Sequence, residues 1–201
     1  MLFSSCMENL QSERLIHSRN FKELDFSGID NVQWFEFDGD TVLGPFHNEE
    51  VTFSLDQLPP HNVLRITIEL LAHDSWDGNS YNIGGPDFWY LQVDGHEIMR
   101  TTFSNSICES LYCLYQSYPE NYVRQFEPKS GAVQTDLPGR CQYEGIPNHT
   151  SKYEINKLVR HRGGQVSILM GDGLKQENAA DPKCDESWSV SRITIHALSV
   201  N

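Results

Sequence analysis

The hexapeptide Asp74-Ser-Trp-Asp-Gly-Asn79 sets side-chain oxygens at its first, fourth and sixth positions, around a glycine that permits a tight loop. Oxygens at that density suit a hard cation, because calcium takes about six to eight of them from carboxylates, carbonyls and water. The EF-hand spacing is absent, so this is a different kind of loop. Asp87 follows Gly84-Gly-Pro86, a sharply turned segment that can fold it back toward Asp74. A second acidic group, Asp185-Glu186, stands after Cys184 and just before the last apolar run. The predicted calcium set is Asp74, Asp77, Asn79 and Asp87, completed by Asp185 or Glu186. Ordinary turn chemistry is the competing account of the same residues.

Catalysis finds less support. Glu36-Phe-Asp38-Gly-Asp40 offers carboxylates two apart, which share a strand face and are allowed by glycosidase geometry. Gly39 breaks that strand, however, and Asp38-Gly39 reads as a turn. No Gly-x-Ser-x-Gly elbow occurs, and the histidines are scattered. Only His73, beside Asp74, invites a ligand reading. The chain is therefore expected to bind rather than to catalyse. Aromatic faces stack on sugars while acids and amides bond their hydroxyls. Trp76, flanked by Asp77 and Asn79, leads a candidate ligand surface that Asn82 and Trp89 complete. Trp76 and Trp188 as caps of the core is the alternative. Tyr112, Tyr115, Tyr118 and Tyr122 offer a second aromatic surface. Carbohydrate is the expected partner, with an extracellular protein (adhesion) next and a glycan-active hydrolase last.

The bulk numbers narrow the partners. A formal charge of −13 over 201 residues repels nucleic-acid phosphates and anionic membranes. No apolar run approaches the roughly 18 residues that would cross a bilayer as a helix. Four of the five cysteines lie inside the probable domain and allow three pairings. Cys108–Cys113 and Cys141–Cys184 are preferred over a zinc site, for which the Cys and His spacing is wrong. Disulfides imply export, hence an extracellular or cell-surface location. Leu2-Phe3-Ser4-Ser5-Cys6 has the form of the end of a bacterial lipoprotein signal, so a truncated start would leave Cys6 as a lipid anchor; an incidental cysteine is the simpler account. Asn148-His-Thr150 has the form of an N-glycosylation acceptor.

The elements that must position these residues are strands. Residues 1–20 read as an N-terminal extension, with a helical turn or two over Met7–Ile16, and residues 21–201 as a single domain. Glu50–Leu55 alternates cleanly, and Leu64, Ile66, Ile68 and Leu70 line one face of a longer run. Phe88–Val93 and His96–Phe103 flank Asp94-Gly95, a hairpin signal. Residues 104–150 form a long excursion with one or two short strands. Lys152–Val159, Gln165–Met170 and Ser187–Val200 close the domain, the last needing a bulge near Ser191 to keep Val190, Ile193 and Ile195 on one face. The fold class is all-β, a jelly-roll-like antiparallel β-sandwich.

Several of these segments recur together. Leu43-Gly-Pro-Phe46, Leu58-Pro-Pro-His61, Asp74–Asn79, Gly85-Pro-Asp87, Val93-Asp-Gly95, Thr101–Asn105 and Asp185-Glu-Ser-Trp188, in that order, resemble a class of exported jelly-roll domains found mostly in bacterial surface proteins. The resemblance spans about residues 32–200. More distantly the chain is similar to calcium-bearing jelly-roll modules that bind carbohydrate or mediate adhesion. The closing motif of the class runs Asp-Glu-Ser-Trp-x-Ile-Asp-Asn; this chain departs from it at Val190-Ser-Arg192, where any ligand expected of that motif is lost. The resemblance implies a fold and export, and no particular ligand.

Overall fold

The computed structural model describes residues 10–82, 84–109, 112–141, 143–175 and 179–201. Eleven strands make two antiparallel sheets, with no α-helix among the described residues and therefore no helix able to cross a membrane. In chain order they are β1 (Leu10–Arg19), β2 (Trp34–Phe37), β3 (Asp40–Phe46), β4 (Glu50–Leu55), β5 (Val63–Asp74), β6 (Phe88–Val93), β7 (His96–Thr102), β8 (Ala132–Leu137), β9 (Thr150–Arg160), β10 (Val166–Gly173) and β11 (Glu186–Val200). The larger sheet runs β2-β3-β11-β5-β9-β8, with β1 also on β11; the smaller runs β4-β10-β6-β7. This is a jelly-roll-like β-sandwich.

Period-two alternation builds the core. Leu64, Ile66, Ile68 and Leu70 of β5 turn inward and face Trp89, Leu91 and Val93 of β6 and Ile168 and Met170 of β10. In β11 the inward set is Trp188 and Val190, then Ile193 and Ile195. The odd step between Val190 and Ile193 is absorbed by a register shift against β5 at Ser191, so the expected bulge is there. The Asp94-Gly95 turn joins β6 to β7, with φ of +50° and +77° as a type I′ hairpin requires.

Two parts of the chain are strands that the sequence did not announce. The expected helical turns over Met7–Ile16 are corrected: Leu10–Arg19 is a strand, while residues 1–9, Cys6 included, lie outside the described residues. The cause is β11, whose edge is shared by two neighbours. β3 pairs with Trp188 and Val190, and β1 pairs onward from Ile193 to Val200. Without β1 that stretch would present a row of unpaired backbone groups. β3 itself was hidden by Gly39. Asp38 and Gly39 both take positive φ, +49° and +82°, and turn β2 into β3 as a second tight hairpin.

Candidate metal centre

The carboxylates collect where strand ends meet at one end of the sandwich. β5 finishes at Asp74, which pairs with Glu186 at the start of β11. The intervening loop returns to β6 through Asp87. Alternation then aims the acids inward: Asp87 lies two residues ahead of the core residue Trp89, and Glu186 two ahead of Trp188. The loop is tied down on all sides. Ser75 donates to the Asp185 carbonyl and carboxylate at 3.0 and 2.8 Å, Trp76 Nε1 to the Ser187 carbonyl at 2.9 Å, and Asp77 N–H to Asp87 Oδ2 at 2.6 Å.

Asp77, Asp87 and Glu186 converge, with one carboxylate oxygen from each within 4.8 Å of the others. Two ligands of a single calcium ion, each about 2.4 Å from it, lie at most about 4.8 Å apart, so these oxygens can share one ion. All three residues are buried, at 8%, 0% and 0% exposure. Asp87 Oδ1, Asp74 Oδ2 and Asp185 Oδ2 are buried without a hydrogen-bond partner, although a side-chain hydrogen bond with Glu186 contributes to the electrostatics of Asp87. Burial, reinforced by the charges of Asp87 and Asp185, pushes Asp77 up to about 7. Burial raises Asp74 to about 6, against the Arg140 N–H and charge. Asp87 is likewise raised by burial. Like charges held together away from water are costly unless protonated or bound to a cation. The donors are all oxygen, which selects a hard cation over zinc or copper.

The structure sorts the predicted set. Asp77, Asp87 and Glu186 meet. Asp74 and Asp185 stand alongside, each with one oxygen engaged: Asp74 Oδ1 by Arg140 N–H at 2.9 Å and Asp185 Oδ1 by Ser75. Asn79 is corrected. Its Oδ1 accepts from Thr102 and Ser117 at 2.6 and 2.8 Å and its Nδ2 donates to the Arg124 carbonyl, so it staples the 115–124 segment to the loop. Trp76 and Trp89, expected at a ligand surface, are fully buried core residues, whereas Asn82 is exposed. His73 points to the opposite face of the sheet, between Thr150 and Ser189, and burial lowers it to about 3. The carboxylate row at the β2–β3 hairpin does not converge on a substrate: Glu36 accepts from Thr41, and Asp40 pairs with Lys22 at 2.6 Å.

Both expected disulfides are present, Cys108–Cys113 and Cys141–Cys184. The second brings Arg140 to the acidic end. Sequence reasoning missed Arg140, whose backbone N–H serves Asp74 while its guanidinium lies 5.5 Å from the Phe35 ring. It also missed Asp172, a buried acid that accepts from Trp188 Nε1 at 2.6 Å and from Asn48 N–H. The signal for Asp172 was its register, two residues past the inward Met170. Gly78 shows how closely the loop is fitted. Its φ is +65°, and a methyl there would collide with the Tyr115 carbonyl oxygen. Gly78→Ala should lower stability by about 3 kcal/mol, strain and overpacking together, read as the denaturant midpoint at constant slope.

No family model and no curated protein matches the chain. Among solved structures it is similar to latent PorU from Porphyromonas gingivalis (10% identity, TM-score 0.40), aligning over 75% of this chain and 10% of that much longer one. It is also similar to a family 35 carbohydrate binding module from Clostridium thermocellum (12% identity, TM-score 0.41), over 90% of this chain and 99% of the module. The carbohydrate recognition domain of Emp47p aligns over 85% of this chain and 89% of that domain, at 12% identity and TM-score 0.34.

Proposed function

We propose that this chain is a calcium-stabilised, non-catalytic binding module that works outside the cell and recognises carbohydrate. The observation that carries the reading is the buried cluster of Asp77, Asp87 and Glu186. An ion held there has no open face for a substrate, so it ties the end of β5, the loop and the start of β11 together instead of doing chemistry. Two disulfides suit an oxidising compartment. A charge of −13 turns away polyanions and leaves neutral hydroxylated ligands, which exposed tyrosines and amides can hold.

Thermal unfolding with calcium and then with excess chelator tests the ion. At a concentration of about 100 times Kd, an ion bound only by the folded state adds about 2.7 kcal/mol, or roughly 8 °C in a domain of this size. Asp77→Ala should abolish that increment. Identical midpoints for the wild type in calcium and in chelator would overturn the calcium reading.

A further inference from the structure

The loop that supplies two of the three clustered carboxylates also carries one of the most exposed large side chains of the molecule. Its base is pinned: Asp77 N–H donates to Asp87 Oδ2, and Asp87 N–H to the Gly78 carbonyl at 2.9 Å. Its tip carries Tyr81, 69% exposed, and then Asn82, also exposed. Tyr81 is not loose. Its hydroxyl lies 2.5 Å from that of Tyr122, whose ring meets Phe88 edge to face at 4.9 Å. The segment that brings Tyr122 there is held by the same loop, through Asn79 to the Arg124 carbonyl at 2.6 Å. The Tyr81 ring thus stays in water while its hydroxyl is fixed to that of Tyr122, which is itself half-buried against Phe88.

We infer that Tyr81 and Tyr122, with Asn82 at their side, form a stacking platform for a neutral sugar ring. This rests on the carbohydrate reading above and locates the ligand. A pyranose presents an apolar C–H face and a rim of hydroxyls. An exposed tyrosine ring takes the face, while phenol oxygens and a primary amide take the rim. Each ring ends in a hydroxyl, so the surface is less suited to the dry apolar patch of a protein partner, although Val123 at its edge is exposed. A polyanion would meet the acidic surface of the whole chain. Because the platform sits on the loop closed by Asp77 and Asp87, the ion fixes its geometry without touching the sugar.

The test is native gel electrophoresis in calcium through soluble xylan, mannan, mixed-linkage β-glucan and galactan, beside the calcium increment in the unfolding midpoint. At least one polysaccharide should retard the wild type. Tyr81→Ala should weaken that retardation about ten-fold, and Tyr81→Phe, which keeps the ring but loses the hydroxyl contact with Tyr122, should fall between Tyr81→Ala and the wild type. Both variants should keep the full calcium increment. A wild type retarded by none of the four overturns the carbohydrate reading and this site with it. Retardation unchanged in Tyr81→Ala overturns the site alone. Loss of both retardation and calcium increment in Tyr81→Ala shows a fold defect in place of a binding contact, and likewise overturns it.

Discussion

The calcium increment in the unfolding midpoint should be large at pH 8 and nearly gone at pH 5. The increment is the proper readout, since the midpoint itself mixes opposing titrations. Asp74 and Asp77, raised to about 6 and about 7, hold protons in the folded state that the unfolded state has released. Over roughly pH 4 to 7 the unfolded chain thus binds fewer protons at these acids, and they make stability fall as pH rises. Burial lowers His17 to about 4, so between that value and about 6.5 it does the reverse. His73, buried and lowered to about 3, acts in the same direction. The histidines contribute equally with and without calcium and cancel in the difference.

What remains is competition between protons and the ion. A carboxylate of pKa about 7 is about one part in 100 ionised at pH 5, so apparent calcium affinity falls about 100-fold. At a calcium concentration of about 100 times the pH 8 Kd, the increment then shrinks from about 2.7 to about 0.4 kcal/mol. Differential scanning calorimetry in matched buffers from pH 5 to 8 would measure it. An increment constant across that range would sink the assignment of the ion to these buried acids.

Removing the Cys141–Cys184 link, by Cys141→Ser with Cys184→Ser, should cost more stability than removing Cys108–Cys113. The bond spans 43 residues, and closing a loop of that length restrains the unfolded chain by about 4 kcal/mol. That is about 12 °C in midpoint for a domain of this size. Cys108–Cys113 spans five residues, and the same relation gives about 2 kcal/mol. The two links should differ in kind as well. Cys184 immediately precedes Asp185 and Glu186, and Cys141 follows Arg140, whose N–H holds Asp74. Breaking the long link should therefore weaken calcium binding; breaking the short one should leave it unchanged. Denaturant unfolding of the two double variants, with and without calcium, reads both. Equal losses of stability for the two would contradict the loop-length account, and an untouched calcium affinity in the first would detach the disulfide from the ion site.

What the sequence shows and hides follows from the physics of each segment. Strands with one face in the core, such as β4, β5 and β6, are written as alternation and were legible nearly to the residue. β1 was not: its side chains are mostly exposed and it is a strand only because β11 offers it an edge. β3 was hidden because its hairpin turn resembles a strand break. For the site, residue type announced the acids but could not divide them. Asp87 and Glu186 point inward because each sits in register with a core tryptophan. Asn79 differs in having hydroxyls from Thr102 and Ser117 within reach, contacts made across the fold. Trp76 is the same lesson reversed, since its acidic neighbours suggested a wet surface and its ring went to the core.

The position of β11 carries a consequence for biosynthesis. It is the latest strand in the chain, yet it lies inside the larger sheet and pairs with β5 along nearly its whole length and with β3 and β1 along its other edge. A chain made from its N-terminus therefore cannot close this sheet until β11 has been made and released from the ribosome. β1, β3 and β5 must wait, with apolar faces uncovered, until Glu186–Val200 has emerged. Glu186, one of the three clustered acids, arrives with that same strand. Sheet closure and completion of the acidic cluster are thus the same late event, and nascent chains stopped short of β11 should be captured by chaperones whatever the calcium level around them.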